Sequence, residues 1–263
     1  MKVGIMDSGV GGLSVWKELV RIFPSANYLY VADSGYCPYG ERSAQYIIDR
    51  CEAIFDFLIS KGVNAIVIAC NTATAAAVEH LRSKYSLPIV GMEPAVKPAA
   101  LSSKSGVIGV LATKGTFNGS KYLNTLNLFA KDVQVIEQVG TGLVELVETG
   151  RQNSPQAYAL LSKYLQPMID AGADHIVLGC THYPFLSPAI DSITEGRITL
   201  VNPASAVALR LCSPLSCEDS GTAGADEFYT TADNVDVLNR MTLSIVTSMP
   251  GCFRKMSYKQ INI

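Results

Sequence analysis

Short apolar runs alternate with longer amphipathic segments along the first part of the chain. The apolar runs, which predict strands, lie at 2–6, 28–33, 65–69 and 88–92. The segments between them predict helices at 13–22 and 44–61 and, after a turn at 70–74, an Ala-rich helix that ends near Tyr85. This alternation is typical of an α/β fold with a mostly parallel sheet flanked by helices.

The same pattern restarts near residue 106. GVIGVLAT (106–113) resembles KVGIMDS (2–8), with Gly109 in the place of Gly4. Further strands are predicted at 133–140 and 175–179, with a helix at 155–172 between them. A repeat of this length indicates two similar folding units. We therefore predict two pseudo-symmetric α/β domains with the active site in the cleft between them.

The last part of the chain sets the expected domain boundaries. A strand at 199–202 and a short helix at 205–212 precede a polar, small-residue-rich stretch at 213–226, which predicts an exposed loop. A strand and turn at 227–234 and a helix at 235–246 follow. We expect this tail to return to the first unit. The predicted domains are 1–96 plus 207–263, and 97–206.

Composition narrows the possible partners. The 263 residues carry a formal net charge of −2, so no overall field favours nucleic acid or an anionic membrane. The apolar run at the N-terminus is too short for a signal peptide, and no run has the length that spans a bilayer. We expect a cytoplasmic protein that binds neither nucleic acid nor membranes.

Cysteine spacing gives no sign of a metal or disulfide framework. The seven cysteines include no C-x-x-C pair, and none of the three histidines lies in a zinc-type cluster with them. Without a secretory signal, structural disulfides are not expected. We predict reduced thiols, most of them buried as small hydrophobic side chains, and no metal site.

Two cysteines differ from this background. IVIACNTATA (66–75) and IVLGCTHYPF (176–185) are near-copies in which an apolar run ends in Cys70 or Cys180 and then turns polar. A helix N-terminus at each position would lower the thiol pKa and favour thiolate. Two such thiols on opposite faces of one carbon could remove a proton and return one from the other side, which inverts a stereocentre.

Further polar residues follow predicted strands, where ligands bind in parallel α/β sheets. Asp7 could assist proton transfer at Cys70, and His182 could do so at Cys180, while Glu148 lies near a strand end of the second unit. Loops that open helices suit an anionic ligand such as a carboxylate. DSGVGG (7–12) lacks the Walker lysine and the Rossmann glycine spacing, so nucleotide binding is not predicted.

Seven segments in order along the chain resemble the glutamate racemases, within the cofactor-independent aspartate/glutamate racemase family. They are DSGVGGLSV, CPYGERS, IVIACNTATA, VGMEPAVKPA, LVELVETG, VLGCTHYPFL and FYTTADN. The chain departs from many relatives in EQVGTGLVELVE (137–148), which lacks their Cys-Pro, and in Ala232, where glycine is common.

The resemblance implies interconversion of L- and D-glutamate without pyridoxal phosphate, metal or any other cofactor, supplying D-glutamate for peptidoglycan. Cys70 would take the proton from D-glutamate and Cys180 from L-glutamate. Asp7 and His182 would assist these thiols, and Glu148 would support His182. The substrate-contacting residues that it implies are Asp7, Ser8, Tyr39, Gly40, Asn71, Thr72, Thr181 and His182.

The residues are also compatible with other functions. The thiol pair alone does not exclude an aspartate, hydantoin or other amino-acid racemase of the same superfamily, because the side-chain pocket decides the substrate. A two-lobed protein that binds an amino acid without turning it over is a further alternative, although binding needs no reactive cysteine on both walls. The expected partner is glutamate, and a homodimer is the candidate assembly.

Overall fold

The computed structural model describes residues 1–212, 223–249 and 254–263, and within them the strands form two parallel sheets. The first sheet has the order β10-β9-β2-β1-β3-β4 and the second has the order β6-β5-β7-β8. The strands are β1 Lys2–Asp7, β2 Asn27–Ala32, β3 Ala65–Ile68, β4 Ile89–Gly91, β5 Val107–Ala112, β6 Gln134–Val139, β7 His175–Gly179, β8 Thr199–Val201, β9 Ala225–Thr230 and β10 Lys255–Gln260.

Helices connect the strands. They are α1 Leu13–Ile22, α2 Ala44–Ser60, α3 Asn71–Lys84, α4 Val96–Ser102, α5 Lys114–Phe117, α6 Ser120–Phe129, α7 Leu143–Glu148, α8 Pro155–Asp170, α9 Ser187–Thr194, α10 Ala204–Cys212 and α11 Asp236–Thr247. None of these helices of the described chain is both long and apolar enough to cross a bilayer. The alternation of strands and helices confirms the predicted α/β class.

The strand orders reveal the internal repeat. β2-β1-β3-β4 of the first sheet and β6-β5-β7-β8 of the second have the same connectivity, so β1 corresponds to β5 and β3 to β7. Met6 pairs with Ile68 in the first sheet, and Ala112 pairs with Gly179 in the second. Since all pairs are parallel, the loops after β1 and β3 leave one edge of their sheet together, as do the loops after β5 and β7.

The C-terminal strands join the first sheet. β9 pairs with β2 and β10 pairs with β9, so the tail extends the sheet that contains β1. The boundaries at 96, 97, 206 and 207 stay a prediction. Of the predicted loop at 213–226, residues 213–222 lie outside the described residues, but its end is wrong, because β9 already begins at Ala225.

A buried ion pair explains why the polar residues at the start of β9 form a strand. Asp226 is 2% exposed and accepts two hydrogen bonds from Arg254, from Nε to Oδ2 and from Nη2 to Oδ1, both at 2.6 Å. The Trp16 indole N–H and the Tyr28 amide also donate to this carboxylate. Burial raises the pKa of Asp226, while Arg254 and the other donors oppose that rise.

Replacing Arg254 with methionine should destabilise the fold by about 3–5 kcal/mol, because it leaves the Asp226 carboxylate buried and unpaired. Urea unfolding of wild type and variant measures the difference. Arg21→Met is the matched control, because Arg21 forms an exposed pair with Glu18 and its loss should cost at most about 1 kcal/mol. Equal effects of the two substitutions would contradict the assignment, and adding Asp226→Asn to Arg254→Met should recover part of the loss.

Candidate active site

Asp7 connects the two units at the ends of their sheets. It is the last residue of β1, fully buried, and its carboxylate accepts the Gly9 amide at 3.0 Å. Its other oxygen accepts the hydroxyl of Thr181 at 3.0 Å, although Thr181 follows β7 in the second sheet. Burial raises the pKa of Asp7 to about 6, against the opposing effects of His182 and these hydrogen bonds.

Cys70 caps the N-terminus of α3 beside Asp7. Its Sγ accepts the amide of Ala73 at 3.4 Å and lies 3.5 Å from the Ser8 hydroxyl. These contacts lower the pKa of Cys70, in the direction that the sequence predicts, but their effect is smaller than that of burial. Burial, with the charge of Asp7, raises the pKa of Cys70 to about 12. The prediction of a lowered pKa is therefore wrong for this environment, because desolvation outweighs the helix terminus.

Cys180 has a different local structure. The segment after it forms a 3₁₀ turn at Tyr183–Leu186 rather than an α-helix, so the predicted helix N-terminus at this thiol is wrong. The group beside this thiol is instead a histidine, because Sγ of Cys180 lies 3.7 Å from Nδ1 of His182. The Tyr183 amide donates to the Cys180 carbonyl at 3.1 Å, which closes a turn that includes His182. Cys180 is 7% exposed, and His182 is 1% exposed.

Glu148 lies on the far side of the His182 ring. Its Oε1 is 2.5 Å from Nε2 of His182, and the same oxygen accepts the amide of Val10 at 2.7 Å. Oε2 accepts the hydroxyl of Ser34 at 2.9 Å, so the carboxylate is fixed by both units. Although burial disfavours a charged imidazole, hydrogen bonds to Cys180, Cys37 and Glu148 raise the pKa of His182 well above its ordinary value.

The glycine-rich loop after β1 packs directly against this pair. A side chain at Gly9 would overlap the carboxylate of Glu148, and one at Gly11 would overlap the ring of His182 and the hydroxyl of Thr181. Glycine at these positions therefore lets the first unit approach the second closely. The loop DSGVGG therefore has a packing role between the two units. The sequence predicted only a Gly-rich turn that carries a carboxylate and a hydroxyl.

Asn71 and Thr72 follow Cys70 at the start of α3. Asn71 is 4% exposed, and neither polar atom of its amide has a hydrogen-bond partner among the described residues. Buried polar groups are normally paired, so an amide of this kind is suited to a ligand. Oγ1 of Thr72 lies 2.8 Å from Oγ1 of Thr113, which is the first residue after β5.

Tyr39 and Gly40 belong to the loop after β2. The Tyr39 hydroxyl donates to the carboxylate of Asp33 at 2.5 Å. The Gly40 carbonyl accepts the amide of Gly115 at 3.1 Å, and Cβ of Thr113 would lie only 3.1 Å from a Cβ at Gly40. This loop therefore spans from the first sheet to the second unit.

Three potential metal ligands also meet here. Sγ of Cys37, a carboxylate oxygen of Glu148 and a ring nitrogen of His182 lie within 4.8 Å of one another. Sequence spacing missed this cluster because its members come from distant segments. Two oxygen or nitrogen ligands of one tetrahedral zinc ion would be about 3.3 Å apart. Oε1 of Glu148 and Nε2 of His182 are only 2.5 Å apart, which is the distance of a direct hydrogen bond. The present geometry is that of a proton-sharing pair.

Known proteins resemble this chain both in sequence and in fold. A family profile described as Asp/Glu/Hydantoin racemase matches residues 3–211. The chain belongs to this racemase family. A glutamate racemase from Pseudomonas putida is 51% identical over 235 residues, covering 88% of this chain and 89% of that protein.

Solved racemases share the whole fold. The glutamate racemase of Escherichia coli, solved with L-glutamate and the activator UDP-MurNAc-Ala, is 30% identical, with a TM-score of 0.84 over 99% of this chain and 97% of that one. A glutamate racemase isoform from Bacillus anthracis is 27% identical, with the same TM-score and coverage. The two-domain architecture predicted from the sequence repeat is thereby confirmed.

For a racemase, the coupling between the thiols is the relevant electrostatic feature. Charge on Cys180 contributes to the raised pKa of Cys70, so ionisation of one thiol opposes ionisation of the other. The doubly ionised site is therefore disfavoured, and one thiolate beside one thiol is the alternative with a single charge. That is the state from which one group can accept a proton while the other donates one.

Several residues at the site were missed by the sequence analysis. Ser34 and Val10 hold Glu148, Cys37 contacts His182, and Asp33 holds Tyr39. Asp33 follows β2 as the polar end of an apolar run, the signal that identified Asp7. Nothing local marked Val10, which contributes through its backbone amide.

Replacing Glu148 with glutamine should lower the pKa of His182, because it removes the adjacent negative charge while an amide oxygen still accepts the Val10 N–H. We expect kcat/KM to fall roughly tenfold to a hundredfold. The pH profile of kcat/KM should also shift, because His182 then loses its proton at lower pH. Glu145→Gln on the exposed face of α7 is the control. An unshifted profile at full activity would refute a role for Glu148.

Replacing Asp7 with asparagine should stabilise the fold above neutral pH, even if activity is lost. The pKa of Asp7 in the folded chain, about 6, exceeds its ordinary value of 3.8, so ionisation of this group favours unfolding. The stability that protonated Asp7 contributes is complete below about pH 4 and lost as the pH rises through 6. Urea unfolding near pH 8 should therefore favour the variant by up to about 3 kcal/mol, with little difference near pH 4. A variant less stable near pH 8 would contradict this.

Proposed function

We propose that this chain interconverts L- and D-glutamate by proton exchange at Cα between Cys70 and Cys180, and so supplies D-glutamate for peptidoglycan synthesis. The relatives at about half identity are glutamate racemases, and their similarity covers most of both chains. The observation that carries the mechanism is the equivalence of the two thiols. Each follows the corresponding strand of a repeated unit, β3 or β7, and each has its own polar assistant.

The two halves of the proposed site differ chemically. Cys70 takes the proton from D-glutamate, with the Asp7 carboxylate nearby, and Cys180 takes it from L-glutamate, with the His182–Glu148 pair behind it. A thiol with a pKa of about 12 is almost entirely protonated at neutral pH, so it needs an added positive charge nearby to act as a base. The α-ammonium group of a bound amino acid would add a positive charge and favour the thiolate. Activation would thus depend on the substrate.

Substrate binding is proposed for residues at the same strand ends. The amide groups at the start of α3 can bind a carboxylate, and the unpaired Asn71 side chain can add a hydrogen bond. Ser8, Thr72 and Thr181 offer hydroxyl groups, while Tyr39 and Gly40 close the loop after β2. The domain limits 1–96 plus 207–263 and 97–206, a cytoplasmic location and a homodimer remain predictions.

The direct test incubates the purified chain with either glutamate enantiomer in D₂O, without added cofactor. We expect deuterium at Cα, inversion, and the same enantiomer mixture from either side, followed by proton NMR and chiral chromatography. Absence of both exchange and inversion would refute the proposal. Turnover of aspartate with no turnover of glutamate would identify an aspartate racemase, and binding without exchange would identify an amino-acid-binding protein.

Replacing either Cys70 or Cys180 with alanine should abolish racemisation in both directions, because the equilibrium between enantiomers fixes the ratio of the two kcat/KM values. The loss should be at least about a hundredfold. The remaining thiol can still exchange the proton of its own enantiomer, so Cys180→Ala should deuterate D-glutamate faster than L-glutamate, and Cys70→Ala the reverse. Cys51→Ala, a buried cysteine of α2, is the control. Full racemisation by either single variant would exclude the two-thiol mechanism.

A further inference from the structure

Arg50 of α2 makes a two-pronged ion pair with Asp33 at the start of the loop after β2. Nε of Arg50 donates to Oδ2 of Asp33 at 2.9 Å, and Nη2 donates to Oδ1 at 2.7 Å. Nη1 donates to the carbonyl of Ile263 at 2.6 Å. The Asp33 side chain is fully buried and that of Arg50 is 12% exposed, so the pair is held away from solvent. Such bidentate pairs fix geometry as well as charge.

This pair also holds other parts of the loop. The Tyr39 hydroxyl donates to Oδ2 of Asp33, and the Thr231 hydroxyl donates to Oδ1 at 2.9 Å. The Arg50 guanidinium lies 3.6 Å from the centre of the Tyr36 ring. Residues at the beginning, middle and end of the loop 33–40 therefore depend on one guanidinium group.

The same loop contacts the second unit at several points along its length. Ser34 donates to Glu148, and Cys37 contacts His182, on the Cys180 side. At the other end, Gly40 accepts the amide of Gly115 in the second unit. A displacement of the loop would change all three contacts together. Arg50 itself is not among the groups that touch the thiols or His182 in these contacts.

We propose that Arg50 is a positioning residue that holds the loop 33–40 in its substrate-binding arrangement through Asp33, Tyr36 and Tyr39. This assignment rests on the proposed racemase function for its kinetic consequence. Its main effect falls on substrate binding, because the loop carries Tyr39 and Gly40, while the thiols lie outside the loop, after β3 and β7. Lysine cannot replace arginine here, since one ammonium group cannot make the fork to Asp33 and stack over the Tyr36 ring.

The kinetic test compares Arg50→Lys with wild type. We expect KM for both enantiomers to rise at least about tenfold, because Tyr39 and Gly40 move with the loop. We expect kcat to fall by a smaller factor, because the thiols lie outside the loop although its contacts with Glu148 and His182 change. Arg21→Lys, in an exposed pair on α1, should leave both constants unchanged. A normal KM in Arg50→Lys would overturn the proposal, as would an equal loss of kcat with KM unaltered.

Chemical rescue separates positioning from general loss of structure. In Arg50→Ala, guanidinium chloride at millimolar concentration should lower KM by refilling the site on Asp33, while ethylammonium should do so less well. If Arg50→Ala does not fold, Arg50→Lys still decides the question through its KM. Failure of guanidinium to improve a folded Arg50→Ala variant would contradict the proposal.

A measurement that does not use activity keeps this proposal distinct from the function. Cys37 is a partly exposed thiol within the loop. In the folded Arg50→Lys variant its alkylation, followed at that site by mass spectrometry, should be at least about threefold faster than in wild type. An unchanged Cys37 rate would overturn the loop assignment even if the racemase function stands. A faster rate in a chain that does not racemise glutamate would support the loop assignment and refute the function.

Discussion

The hydrogen bond from Thr181 to Asp7 is the contact on which the rest of the site depends. It joins the carboxyl end of β1 to the residue that follows Cys180, so the loops that carry the functional residues of the two units meet at this contact. Gly9 and Gly11 permit that approach because a side chain at either position would overlap Glu148 or His182. The same closeness excludes solvent from Asp7, Cys70 and His182.

Burial then decides the electrostatics. It raises the pKa of Asp7 and of Cys70, and only specific hydrogen-bond partners keep the His182 pKa above its ordinary value despite the same desolvation. The charge of the acid, the thiol and the imidazole therefore depends on their neighbours more than on their ordinary pKa values. Such perturbed groups are typical of catalytic sites, and burying them costs stability.

The two halves of the molecule are alike in topology and different in chemistry. The repeat puts a cysteine after β3 and after β7, but α3 starts at the first cysteine while a 3₁₀ turn follows the second. On one side a carboxylate lies near the thiol, and on the other side a histidine backed by Glu148 does so. Two bases that face enantiomers need equal access to Cα, although they do not need identical assistants.

How much of this could be read from the sequence depended on whether the signal was local. The ends of the predicted strands lay within a residue or two of the observed ones, because each apolar run ends where a polar loop begins, but β10 at Lys255–Gln260 was not predicted, because KMSYKQ contains no apolar run. The end of the predicted loop at 213–226 was wrong, because Asp226 is polar and pairs with Arg254, which is distant in sequence. The pKa of Cys70 was predicted in the wrong direction, since a helix terminus is local and desolvation is not.

The sequence by itself determined the α/β alternation, the internal repeat and the pair of cysteines, because each is a periodic or short-range pattern that burial and helix formation translate directly. Only the tertiary structure decided which groups share a site. Val10 against Glu148, Cys37 beside His182, and Arg50 on Asp33 are contacts between segments with no common pattern. Their positions follow from how the loops and helices of the two units pack together, which no single stretch of sequence specifies.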